Sequence, residues 1–245
     1  MSRVICWYSS GIASATATKL MIDEGQDVTI VKTETNSEHP DNKRFDAECE
    51  ELFGKKILYL SSEKYHDIWE VFEKTNYLVG VNGARCTTEL KKKVRQSFQE
   101  FDDVHVFGYT NDEKHRAERL IHNNPEIQVK SPLIDRGWSK AMCFDYFSKF
   151  GIEKPMMYRL GFNNNNCIGC VKGGKGYWNH IRKHFPDVFE RMSKEERRIG
   201  HAVCKDENGA VWLDEMPPDR GVHHQEFIED LFSHGMSCDF LCGSE

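Results

Sequence analysis

The feature that most restricts the fold is an apolar strand-like run at residues 4–9 that passes through a turn of small residues into a helix-like run at 13–24. The alternation then continues. Residues 28–33 read as a strand, 41–53 as a helix closed by Gly54, 56–60 as a strand, 65–72 and 88–98 as helices, and 104–109 as a further strand. Alternation of this kind is the signature of βαβ units, so the expectation is an α/β fold with a doubly wound, mainly parallel sheet. Past Pro132 the regularity fades into a helix at 138–150 and a loop rich in Asn, Gly and Cys at 161–176. Ser193 and Glu196 have capping-box spacing and predict a helix beginning there; 206–210 predicts a turn feeding a strand at 211–213. The expected organisation is a nucleotide-binding domain over 1–160 and a small extension over 161–245.

Ser9-Ser10-Gly11-Ile12-Ala13-Ser14 is the turn between the first strand and the first helix. Small residues there leave backbone N–H groups open at the positive end of a helix dipole, and the hydroxyls of Ser9, Ser10 and Ser14 add donors. Such a turn holds phosphate or sulfate, although the same residues also serve simple close packing. No stretch reaches the roughly 20 apolar residues that span a bilayer, and no secretory h-region is recognisable, so a soluble cytoplasmic protein is expected. The formal charge of −6 argues weakly for a small-molecule ligand over nucleic acid.

Nine cysteines without an export signal point to metal binding, catalysis or core packing rather than disulfides. Cys6, Cys49 and Cys143 lie in apolar or amphipathic segments and are expected in the core, which leaves Cys86, Cys167, Cys170, Cys204, Cys238 and Cys242 for chemistry. Cys167-Ile168-Gly169-Cys170 can grip a metal or cluster from one turn, with Cys86 as a third thiolate from a remote helix start. A zinc knuckle and a redox dithiol fit the same spacing. Arg116 and Arg119, three apart, would share a helix face and clamp an oxyanion. Lys91, Lys92 and Arg95 supply further charge near Cys86, and Lys172-Gly173-Gly174-Lys175-Gly176 reads as a lid over an anion.

These motifs in this order resemble the PAPS/APS reductase-like family of the PP-loop superfamily. Ser9, Gly11 and Ser14 match its phosphate loop, but Ser10 stands for the first Gly and Ala13 for the Asp that manages magnesium in ATP-cleaving members. Thr33 to Pro40, including Asn36, occupies the place of the family's adenosine turn. Pro132-Leu133, Trp138, Tyr158 and Gly161-Phe162 reproduce the segment before the family's Cys-x-x-Cys. The resemblance implies adenine-nucleotide binding by Ser9, Ser10, Gly11, Ile12, Ser14, Thr33, Asn36, Arg116 and Arg119. It further implies an iron–sulfur cluster, of four irons in the assimilatory APS reductases, on Cys86, Cys167 and Cys170. Arg85 replaces the first cysteine of the family's tandem, so three ligands remain. The implied nucleophile is Cys242 or Cys238, with a thioredoxin-like reductant as partner and a homodimer as a compatible state. Two other readings stay open: ATP-dependent RNA or nucleobase thiolation, and a non-catalytic nucleotide module with structural zinc.

Overall fold

The computed structural model describes residues 2–81 and 83–221. In chain order it contains β1 (Val4–Tyr8), α1 (Ile12–Asp23), β2 (Val28–Thr33), α2 (Asn42–Phe53), β3 (Ile57–Leu60), α3 (Ile68–Thr75) and α4 (Arg85–Thr87). A π-helical turn over Thr88–Lys92 leads into α5 (Lys93–Phe98), then β4 (Val104–Phe107), α6 (Lys114–Asn123), β5 (Gln128–Lys130), α7 (Pro132–Asp135), α8 (Lys140–Ser148) and α9 (Met156–Arg159). There follow α10 (Lys175–His184), α11 (Pro186–Ile199), β6 (Cys204–Asp206) and β7 (Gly209–Val211). Among the described residues no helix is long and apolar enough to cross a membrane.

The chain divides into two compact units that interleave along the sequence. The first comprises Met1–Glu34, Pro40–Leu60 and Arg95–Arg159, and the second Thr35–His39, Ser61–Val94 and Leu160–Glu245. In the first unit five strands pair in parallel in the order β3-β2-β1-β4-β5, giving the expected α/β architecture. Its core joins Cys6, Tyr8, Ile30 and Val106 of the sheet to Ile12, Ala15 and Met21 of α1, Phe45, Cys49 and Phe53 of α2, and Cys143 and Phe147 of α8. Helix α1 is buried on most of its circumference, which its run of Ala, Ser and Thr allows because small side chains let a helix lie close on a sheet. Cys6, Cys49 and Cys143 are core residues, and burial pushes each thiol up to about 12.

The second unit packs Trp178 and Ile181 of α10 and Met192 of α11 into its interior with Leu213 and Met216. Three expectations are corrected here. The helix assigned to 65–72 begins later, because Asp67 accepts a hydrogen bond from the Glu70 N–H and caps α3. No helix starts at Ser193: Pro186 at the first position opens α11, and Ser193 and Glu196 are buried within it. The small antiparallel hairpin is β6–β7, turning at Glu207 and Asn208, so the strand expected at 211–213 starts earlier.

Glu196 staples this hairpin region to α11. Its carboxylate accepts the N–H of Val203 at 2.5 Å and that of Leu213 at 2.9 Å. Burial is the larger influence and pushes the carboxyl up to about 7, against the lowering effect of the two N–H donors. A carboxyl whose folded pKa lies above its unfolded value stabilises fully below the unfolded pKa and loses that contribution as pH rises through the folded one. Unfolding free energy is therefore expected to fall between about pH 4.5 and about pH 7 on account of this group. Denaturant titrations across that range, run beside Glu196→Gln, which cannot ionise, should show the slope only in the parent protein.

Candidate functional site

In the first unit the chain order of the sheet reverses between β1 and β4, and the C-terminal ends of strands at such a reversal form the crevice where open α/β sheets bind ligands. Two segments meet there. After β1, Ser9 to Ser14 turns into α1; after β4, Gly108 approaches so closely that a Cβ on it would lie 2.6 Å from the Ser14 Cα and 2.7 Å from the Ser14 N. Only glycine fits position 108, and β4 ends at Phe107, short of the expected 109.

The turn is held by its own hydroxyls. Ser14 Oγ accepts the Ser9 N–H at 3.1 Å, contacts Ser9 Oγ at 3.1 Å and donates to the Gly11 carbonyl at 2.9 Å. Gly11 is extended, at φ −95°, with the Tyr158 hydroxyl 3.4 Å from where its Cβ would be. Ser10 is in the left-handed region at φ 55° and fully buried, and its hydroxyl points inward to Asp46 Oδ1 at 2.6 Å. That hydroxyl is committed to the protein interior. Asp46 also accepts Tyr8 at 2.9 Å, Lys32 at 2.9 Å and Tyr59 at 3.3 Å. Neither Asp46 nor Lys32 was singled out from the sequence, where an Asp within an amphipathic helix reads as part of its solvated face.

Arg116 and Arg119 do lie on one helix, α6, and both are exposed. Arg116 pairs with Glu113 and sits 5.3 Å over the Tyr109 ring. Thr33 ends β2 at half-burial. Arg95 is buried in the first unit and donates to Asn124 at 3.3 Å.

The second unit gathers the cysteines. Cys86 enters α4, and Cys167 and Cys170 flank Gly169, whose φ of 87° is the left-handed conformation that lets the Cys-x-x-Cys chain turn back on itself. The Tyr177 hydroxyl organises this turn: it accepts the N–H of Gly169 at 3.0 Å and of Cys170 at 2.9 Å and donates to the Cys167 carbonyl at 3.0 Å. The segment 35–39 clasps the turn from elsewhere in the unit. Thr35 Oγ1 lies 3.1 Å from Cys167 Sγ, and the Ile168 N–H donates to the Ser37 carbonyl at 2.7 Å. Asn36, at φ 47°, donates from its side chain to the His66 carbonyl at 2.9 Å.

The three thiols share one electrostatic environment. Burial pushes Cys86 up to about 11 and Cys167 up to about 12, with Cys170 adding to both and Lys91 opposing both. The Lys91 ammonium faces all three sulfurs and lies 3.9 Å from Glu38 Oε1. Arg85 pairs at 2.9 Å with Glu89, a buried carboxylate that Lys93 also contacts. The helix expected at 88–98 opens with a π turn, a local widening frequent at functional sites.

Three soft donors from two segments thus come near enough to interact electrostatically. Among the described residues the three sulfurs do not all lie within 4.8 Å of one another. Tetrahedral zinc with bonds of about 2.3 Å needs its sulfurs roughly 3.8 Å apart, whereas a cluster spreads its cysteines over separate irons. Cys204 is buried, its Sγ 3.8 Å from the Gly173 carbonyl. Gly173 bonds back to the Cys170 carbonyl and Gly174 caps α10, so the glycine segment is an ordered turn in this structure. Cys238 and Cys242 lie outside the described residues.

No family model matches the sequence. An uncharacterized protein of Methanocaldococcus jannaschii is 26% identical over 199 residues, covering 77% of this chain and 39% of that protein, so the chain spans about two fifths of its relative's length. Among solved structures, the phosphoadenylyl-sulfate (PAPS) reductase of Candida auris, a phosphate complex, is similar at a TM-score of 0.53 and 13% identity, over 68% of this chain and 82% of that one. The chain therefore has a PAPS reductase-like fold.

Proposed function

We propose that this protein is a sulfonucleotide reductase-like enzyme that binds an adenine nucleotide at the turn 9–14 and carries an iron–sulfur cluster on Cys86, Cys167 and Cys170. The observation that carries the reading is the turn itself: in a PAPS reductase-like fold, it lies at the sheet reversal on the N-terminus of α1, against a glycine that admits no side chain. Backbone N–H groups at the helix start would hold the anionic end of the nucleotide, with Arg116 and Arg119 closing over it. In this reading Cys242, or Cys238, attacks the sulfonyl sulfur as a thiolate. A bond from cysteine sulfur to sulfonyl sulfur forms, the bond from that sulfur to the phosphate oxygen breaks, and the nucleotide leaves with the electron pair. An external thiol of the thioredoxin class then releases sulfite. A cluster, when bound, would supply electron-transfer capacity. Lys91 and Tyr177 hold its ligands in charge and in place.

ATP-dependent thiolation is the second reading, favoured by one observation: Arg85, paired with Glu89, occupies the place of a fourth cysteine, which leaves three thiols. Ala13 weighs against it, because metal-assisted ATP cleavage uses an acidic residue there. Calorimetry separates the two. APS or PAPS is expected to bind more tightly than ATP, with affinity falling as salt rises because the contacts are charge-assisted. No binding of AMP, ATP, APS or PAPS at millimolar concentration removes the nucleotide reading, and tight binding of ATP alone transfers support to thiolation.

A further inference from the structure

The buried group nearest the anion turn that the proposed chemistry leaves unused is the Asp46 carboxylate. It is held by four donors from three strands and the turn: Tyr8 and Lys32, Tyr59, and Ser10. Three of them belong to rigid sheet, so the carboxylate is fixed independently of the turn. The fourth, the Ser10 hydroxyl at 2.6 Å, is the shortest of the set and the only one that reaches the turn. Ser10 itself is at φ 55°, a conformation that costs a residue with a Cβ roughly 1–2 kcal/mol and that glycine adopts freely. The inward pull of Asp46 acts on the very residue whose backbone is strained, and its direction keeps the strained conformation in place.

We infer that Asp46 is a positioning residue for anion binding: by tethering Ser10 in the left-handed conformation, it holds the 9–14 turn in the shape that presents its N–H groups. Lys32 fixes the carboxylate from the other side, so the tether is anchored in β2. This inference rests on the nucleotide reading above. It makes Ser10 and Asp46 a matched pair in which a side-chain bond does what the missing Cβ of a glycine would do.

The test compares Ser10→Ala with Ser10→Gly, both of which leave the Asp46–Lys32 pair, Tyr8 and Tyr59 untouched. Alanine keeps the Cβ and removes the tether; glycine removes the tether and the need for it. Calorimetric affinity for APS and AMP is expected to fall about tenfold in Ser10→Ala and to stay within about threefold of the parent in Ser10→Gly, the range of coupling seen between contacting residues. A purely structural hydroxyl predicts the opposite pattern, in which both variants lose thermal stability and neither changes affinity. Equal affinity in Ser10→Ala and the parent, or equal loss in both variants, overturns the inference while the nucleotide reading stands on the parent's own binding. Absence of binding by the parent protein overturns both. Should Ser10→Ala fail to fold, Lys32→Met with Asp46→Leu, made in the Ser10 and the Ser10→Gly backgrounds, reads out the same coupling: about tenfold weaker binding in the first and little change in the second.

Discussion

Asp46→Ala is expected to destabilise the first unit by about 3–5 kcal/mol, enough to unfold a domain of ordinary stability. The cost comes from what is left behind. Lys32, with a side chain only 5% exposed, would keep a positive charge in the interior without its Asp46 partner, and the hydroxyls of Tyr8 and Ser10 would lose the Asp46 acceptor. Breaking a buried pair on one side is far worse than removing both members, since the desolvation of the remaining ion is then unopposed. Lys32→Met combined with Asp46→Leu is therefore expected to recover most of the loss. Urea denaturation of the three proteins checks the account; a midpoint for Asp46→Ala within the equivalent of about 1 kcal/mol of the parent contradicts it.

The second large effect concerns the cysteines. Cys167→Ala is expected to strip iron and sulfide from anaerobically purified protein and to lower its stability, because a group bound only by the folded state adds its binding free energy to folding. Cys143→Ala is the matched control: that thiol is fully buried in the first unit's core, so its loss costs packing but no metal. Equal metal content in the two variants would remove Cys167 from the ligand set.

How much of this was legible in the sequence follows from how local each signal is. The strand 28–33 was read to the residue and Gly54 as the helix stop, because apolar runs and a left-handed glycine act within a few positions. β5 was missed since its three residues, Gln128–Lys130, are mostly exposed and polar, and only pairing with β4 makes them a strand. α10 was missed because it begins inside a glycine-rich stretch that reads as loop. The cysteines were legible through their chemistry and spacing. Tyr177, which orders the Cys-x-x-Cys turn, was not, because an aromatic residue seven positions downstream carries no mark of where its hydroxyl will point. The same holds for Asp46 and Gly108. Each acts through a contact between elements distant in sequence, and only the sheet order brings those elements together.

The central claim is that a PAPS reductase-like fold here carries a cluster on three cysteines. It is tested most directly by iron, zinc and acid-labile sulfide analysis of the anaerobically prepared parent protein, read with its absorption spectrum. The account expects iron and sulfide together, with broad charge-transfer absorption that Cys167→Ala abolishes. Stoichiometric zinc without sulfide, or protein holding neither metal, would contradict it.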